Sequence, residues 1–255
     1  MKPENLVAGR NPVREALRSG RPVDKIILAR GATGSGISDI KLLAREKGIP
    51  VQQVKRAVLD RLLPGTVHQG VVALAAVKEY VSLDDILERA QNEDPFIILL
   101  NEVTDPRNLG AIIRTAEAAG AHGVVIPGRR SASLTSAVAK ASAGAVEYLP
   151  VARVTSLAQA IRSLKKKNIW VVGADSSAGE VLWDVRLEGP VALVIGGEDK
   201  GLGPLVKKTC DLLVRIPLKG QINSLNASAA TAVLAFEVLR RRRTAAQKEK
   251  EKHFS

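Results

Sequence analysis

The chain has 255 residues, enough for one large or two ordinary domains that each bury a core. Its composition is 45% apolar and 3% aromatic, no apolar run approaches membrane-spanning length, and Met1-Lys2-Pro3-Glu4-Asn5 opens no signal peptide, so a cytoplasmic globular protein is expected. The net charge of +12 points to a polyanionic partner, the single Cys210 excludes an internal disulfide, and His68, His122 and His253 lack the spacing of a zinc site, so no metal is expected.

Residues 1–77 alternate helix and strand signals and hold 13 basic against 6 acidic side chains, a surplus of +7. Asn11-Pro12 opens a helix through Arg18. Lys25–Ala29 reads as a strand, Ile37–Lys47 as an amphipathic helix, and Val51–Val54 and Val71–Val77 as further strands. The expected product is a small α/β sandwich that binds RNA. Scarce aromatics favour structured RNA over stacked single strands. Gly31-Ala32-Thr33-Gly34-Ser35-Gly36 lacks both the Lys-Ser/Thr of a phosphate loop and the dinucleotide spacing, and reads as a connector.

Residues 78–94 are acidic and read as a linker with one short helix near Ser82-Leu83-Asp84-Asp85. Residues 95–243 then alternate strand and helix, which predicts a mostly parallel sheet covered on both faces. Three buried strands run into unusually polar loops. Phe96–Leu100 leads into Asn101-Glu102-Val103-Thr104-Asp105-Pro106-Arg107-Asn108-Leu109-Gly110. Val191–Ile195 leads into Gly196-Gly197-Glu198-Asp199-Lys200-Gly201, and Leu212–Leu218 into Lys219-Gly220-Gln221-Ile222-Asn223-Ser224-Leu225-Asn226. The last loop offers more polar side chains than one helix start needs as caps. Polar loops at the carboxyl ends of parallel strands are where open α/β sheets place ligands, so the three predict one composite site. A polar, basic tail from Thr244 to Ser255 is expected to fray. Arg240–Arg243 before it could serve the helix macrodipole or meet RNA.

These three blocks, in this order over roughly residues 95–240, resemble the SpoU/TrmH family of RNA ribose 2′-O-methyltransferases within the SPOUT superfamily. Val7–Leu17, Lys25–Ala29 and His68-Gln69-Gly70-Val71-Val72-Ala73 are similar to the family's substrate-binding domain, a pairing nearest the bacterial enzymes that methylate a guanosine ribose in 23S rRNA. One departure is Ala227-Ser228-Ala229, where the family pattern has Val-Ser-Val. The resemblance implies S-adenosylmethionine as methyl donor, a deep trefoil knot, and a homodimer with its sites at the subunit interface.

The resemblance places Asn108, Arg114, Glu198, Ser224 and Asn226 at the catalytic centre. It places Gly196, Ile216, Leu218, Leu225 and Asn226 around the cofactor. Arg114 matches a position often assigned as general base. Guanidinium is effectively never deprotonated, so Arg114 reads better as a fixed cation that grips phosphate and stabilises alkoxide charge. Glu198 reads as an orienting group or a loop cap. Two alternatives remain: a tRNA ribose methyltransferase, against which the folded N-terminal part speaks, and a non-catalytic RNA-binding or ribosome-assembly factor, against which Arg114, Glu198 and Asn226 together speak.

Overall fold

A computed structural model of the chain describes residues 6–18, 22–75, 78–197, 201–221 and 223–253. It divides into two compact units, Met1–Glu79 with Ser133–Ser136, and the rest of the chain from Tyr80.

The first unit runs β1 (Leu6–Ala8), α1 (Arg10–Arg18), β2 (Val23–Ala29), α2 (Ser35–Glu46), β3 (Val51–Val54), α3 (Arg56–Leu62) and β4 (Val71–Ala75). Its sheet has the order β1-β4-β2-β3, with β2 and β3 parallel and the other pairs antiparallel. The apolar run of β2 serves two cores because successive side chains point to opposite faces. Ile26 and Leu28 meet Val13, Leu17, Ile37 and Ile40 of α1 and α2, while Ile27 and Ala29 meet Leu59 of α3. The predicted sandwich is present. The short β1 and α3 escape sequence reading because three and seven residues show little periodicity. The end of the last predicted strand, residues 76–77, lies outside the described residues. His68 is buried; its Nδ1 accepts from the Gly70 amide at 3.0 Å, which leaves Nε2 to donate to Asp60 at 2.8 Å. This histidine fixes a turn.

The second unit begins with α4 (Leu83–Ala90), closed by a reciprocal cap in which the Asp85 amide donates to Ser82 Oγ and the Ser82 amide to Asp85. Ile86 of α4 is fully buried among Ile97, Leu99 and Val125, so the short helix of the predicted linker packs onto the core of this unit. There follow β5 (Phe96–Asn101), α5 (Pro106–Ala118), β6 (Gly123–Pro127), α6 (Ser136–Ala141), β7 (Val151–Val154), α7 (Leu157–Lys166), β8 (Trp170–Ala174), β9 (Glu180–Val181), β10 (Val191–Gly196), α8 (Pro204–Thr209), β11 (Leu212–Arg215) and α9 (Ala227–His253). Among the described residues the strands form a seven-stranded sheet in the order β7-β6-β5-β10-β8-β11-β9, with every pair parallel. All of β5 and the first five residues of β10 are buried, as expected of central strands covered on both faces.

Helix α9 continues to His253, past the expected end at Arg243. Its last turns contain Ala245, Ala246, Gln247 and Lys248, good helix formers without Gly or Pro, so nothing stops propagation. The arginine run is therefore not at a helix terminus. Arg240 and Arg241 grip the buried carboxylate of Glu237 at 2.7–2.8 Å, and Arg241 also donates to the Trp183 carbonyl. Arg242 donates to the Pro95 and Gly189 carbonyls at 3.2 and 2.9 Å and lies over the Phe96 ring. Arg242 thereby fastens the helix to the segments that enter β5 and β10, and Arg241 to the turn after β9, while Arg240 pairs within the helix.

Candidate functional site

The polar loops predicted from the sequence converge at the carboxyl edge of the parallel sheet. β5 and β10 are adjacent and in register, so Asn101 stands beside Gly196. The side chain of Asn101 donates to the Gly201 carbonyl at 3.1 Å, tying the loop after β10 to the end of β5. The Gly201 amide in turn donates to the Gly197 carbonyl at 3.0 Å. A Cβ on Gly196 would lie 2.3 Å from the Gly201 carbonyl carbon, and one on Gly197 would lie 2.4 Å from the Glu102 carbonyl oxygen. Both glycines are thus required by backbone packing against backbone, a stronger constraint than the close ligand approach that the sequence alone suggests for Gly196. Glu198 lies outside the described residues.

The two predicted asparagines meet. Asp105 caps α5 by accepting from the Arg107 amide at 2.8 Å, which sets Asn108 in the first turn, buried. The Asn226 amide donates to Asn108 Oδ1 at 3.1 Å. Asn226 Oδ1 accepts from the backbone and hydroxyl of Ser228 at 2.9 and 2.6 Å, so it also caps α9. One carboxamide therefore clamps the starts of two helices together. Thr231 Oγ1 donates to the Ala227 carbonyl at 2.7 Å within the first turn of α9, and Ala227 is buried.

Beside this clamp lies a cavity of about 380 Å³, within the range of small-molecule sites. Gly196, Ile216, Leu218, Ser224 and Leu225 line it, as do Asn223 and Gly197. Leu218 and Leu225 are partly exposed, which leaves an apolar wall open to an incoming ring. A purine nucleoside fits this lining, which combines the apolar Ile216, Leu218 and Leu225 with the backbone of Gly196, Gly197 and Gly201. Arg114 is exposed on α5 and is not among the residues lining the cavity.

The cavity has a wall that sequence reading missed. Asp175, Ser176 and Ser177, directly after β8, and Lys207 of α8 line it too. Asp175 pairs with Lys207 and accepts from the Ser177 amide at 2.9 Å. Burial pushes the Asp175 carboxyl up, but hydrogen bonds from Lys207 and Ser177 outweigh it and hold the group below the usual carboxylate range. The available signal was the polar Asp-Ser-Ser after a strand buried at Val171–Gly173, the rule that marked the other loops. Among the described residues, no group of three or more His, Cys, Asp or Glu could hold a metal ion, and no helix is long and apolar enough to cross a membrane.

Known proteins align with both units. The sequence profile of the SpoU rRNA methylase family matches residues 95–236, and that of RNA 2′-O ribose methyltransferase substrate binding matches residues 6–81. A Bacillus subtilis protein named for the TrmH family of tRNA/rRNA methyltransferases is 48% identical over 240 residues, 93% of this chain and 96% of its own. The structure is similar to the SpoU methyltransferase AviRb from Streptomyces viridochromogenes in complex with AdoMet, with a TM-score of 0.60, 28% identity, and coverage of 94% of this chain and 90% of that one. It is also similar to an AdoMet-bound rRNA methyltransferase from Sinorhizobium meliloti, with a TM-score of 0.58, 26% identity, and coverage of 92% and 86%.

Proposed function

The chain belongs to the SpoU/TrmH family of RNA ribose 2′-O-methyltransferases, and from that premise we propose that it methylates the 2′-hydroxyl of a guanosine in 23S rRNA in the cytoplasm. The observation that carries the reading is the cavity at the carboxyl edge of the sheet. Gly196, Ile216 and Leu225, from two separate sequence blocks, come together on its wall. S-adenosylmethionine bound there would supply a methyl group activated by a cationic sulfonium.

The remaining work falls to the protein. Ile216, Leu218 and Leu225 hold the adenine, and Gly196 keeps the opposing backbone close. The Asn108–Asn226 clamp fixes the two helix starts without adding charge near a sulfonium. Arg114 grips the target phosphate and stabilises the alkoxide as the 2′-hydroxyl loses its proton, while Ser224 and Glu198 orient the reacting groups. Phosphate or water relays that proton. An exposed Arg114 off the cavity wall fits a homodimer in which a second copy of the chain completes the site. The trefoil knot is part of the same proposal.

Assignment to rRNA is supported by the separate N-terminal unit. It folds as its own α/β sandwich, carries a charge of +7 over residues 1–77, and matches the substrate-binding profile. The second reading, a tRNA ribose, is kept open by the Bacillus relative, whose name spans both RNAs. Mapping ribose methylation across total RNA of a deletion strain separates them. Loss of one 2′-O-methylguanosine in 23S rRNA is expected. Loss confined to tRNA would favour the second reading, and an unchanged map would favour a binding factor.

A further inference from the structure

Asp175 and Lys207 form a built polar corner of the cavity, outside the three sequence blocks. The Asp175 side chain is only 7% exposed, and its partner on one oxygen is Lys207. Its other oxygen accepts from the amide and the hydroxyl of Ser177. The backbone around it is tied as well. The Asp175 amide donates to the Val214 carbonyl at 2.9 Å, and Arg215 donates to the carbonyls of Ala178 and Gly179 at 2.8 and 2.5 Å. An ionised carboxylate offers about four lone-pair positions, and the three donors from Lys207 and Ser177 leave capacity for a ligand.

Resting on the reading of this cavity as an S-adenosylmethionine site, we propose that Asp175, positioned by Lys207, accepts hydrogen bonds from the ribose hydroxyls of the cofactor's nucleoside. The placement follows from the sheet. Ala174 is in register with Val214 on the neighbouring strand, so Asp175 stands about one strand spacing, ~4.8 Å, from the segment that carries Ile216. If the adenine lies on the wall of Ile216, Leu218 and Leu225, a group one strand away meets the sugar attached to that base. The methionyl chain, attached at the 5′ carbon, would then lie away from a group that holds the ribose hydroxyls. The ion pair is neutral as a whole, so it adds no net charge beside a sulfonium, yet its anionic member gives hydroxyl donors a charge-assisted bond. An acidic side chain near the carboxyl end of a strand is also how dinucleotide-binding α/β sheets take a ribose.

Calorimetry on the full chain tests this with two probes, S-adenosylhomocysteine and 5′-methylthioadenosine, the second lacking the amino-acid end. Asp175→Asn should weaken both alike, by roughly tenfold or more, the scale of losing a hydrogen bond to a charged group. Lys207→Met should weaken both less, and Lys207→Arg should restore most of the affinity, because the cation only positions the acceptor. Loss confined to S-adenosylhomocysteine would move the contact to the methionyl end and overturn the assignment. Unchanged affinity would reduce Asp175 to a loop tie. Should Asp175→Asn lower the melting temperature enough to obscure binding, the 2′- and 3′-deoxy analogues of 5′-methylthioadenosine decide on the wild type: weaker binding of either supports the contact, and binding equal to the parent by both overturns it. Failure of the wild type to bind S-adenosylhomocysteine would instead overturn the cofactor reading of the cavity itself.

Discussion

The start of α9 and the arginine run in its interior look alike in sequence and behave differently in structure. Around Asn226 stand polar side chains in excess of one cap, and at Arg240–Arg242 stand cations in excess of one helix terminus. At the arginine run the fold absorbs the excess: Glu237 and the carbonyls of Trp183, Pro95 and Gly189 receive those guanidinium groups. At the asparagine end Asn226 is absorbed in the same way, while Asn223 and Ser224 stay exposed on a cavity wall. A surplus of polar groups marks a ligand site only after the protein's own partners have been counted.

The largest effect expected lies at neither place but at Arg114, which the fold leaves exposed. Arg114→Lys keeps the charge and loses the planar fork, so single-turnover methyl transfer should fall by roughly a hundredfold or more, while cofactor affinity and melting temperature stay near wild type. Near-normal turnover would make Arg114 an RNA-docking residue.

Next comes the arginine run. Glu237→Gln should cost about 2 kcal/mol at neutral pH, because a buried carboxylate there receives several charged donors. It should leave the salt dependence of RNA binding unchanged; a shallower slope would return Arg240–Arg242 to the RNA interface. The pH dependence has a defined sign. Hydrogen bonds from Arg240, and then from Arg241, hold the Glu237 carboxyl below its ordinary 4.5. Its stabilisation is complete above that value and is lost as pH falls through the depressed folded-state value. Wild type and Glu237→Gln should therefore converge in denaturant midpoint on acidification below about 4.5.

The asparagine end should respond more mildly. Asn226→Ala removes the α9 cap, costing about 1 kcal/mol, with a further loss from the Asn108 partner. Cofactor affinity should fall with it, since Leu225 and Ser224 precede the cap. A variant with normal affinity would separate the clamp from the cavity. The smallest effect is at Cys210, whose thiol burial pushes up to about 11, with Asp211 adding to the rise. Alkylation at pH 8 should be slow in the native protein and fast in denaturant, and rapid native labelling would show that the thiol is open to solvent.

The legible part of this chain was whatever depends on near neighbours in sequence. The buried runs Phe96–Leu100 and Val191–Ile195 and the polar loops that follow central strands all announce themselves over a few residues. Segment 78–94 was misleading for the same reason: its local acidity reads as a linker, whereas Ile86 is buried only because β5, β6 and β7 offer it a surface.

Sequence by itself determined the alternation of strands and helices, the family pattern, and the basic surplus of residues 1–77. These are properties of periodicity, capping and composition, which a chain carries before it folds. Tertiary structure alone decided that Asn226 reaches Asn108 across 118 positions, that Gly196 has no room for a Cβ beside Gly201, and that Asp175 with Lys207 walls the cavity. Each depends on the order β5-β10-β8-β11, which sets strands distant in sequence side by side. No local rule encodes that order. It is fixed by which buried faces can be covered together, a condition on the whole sheet.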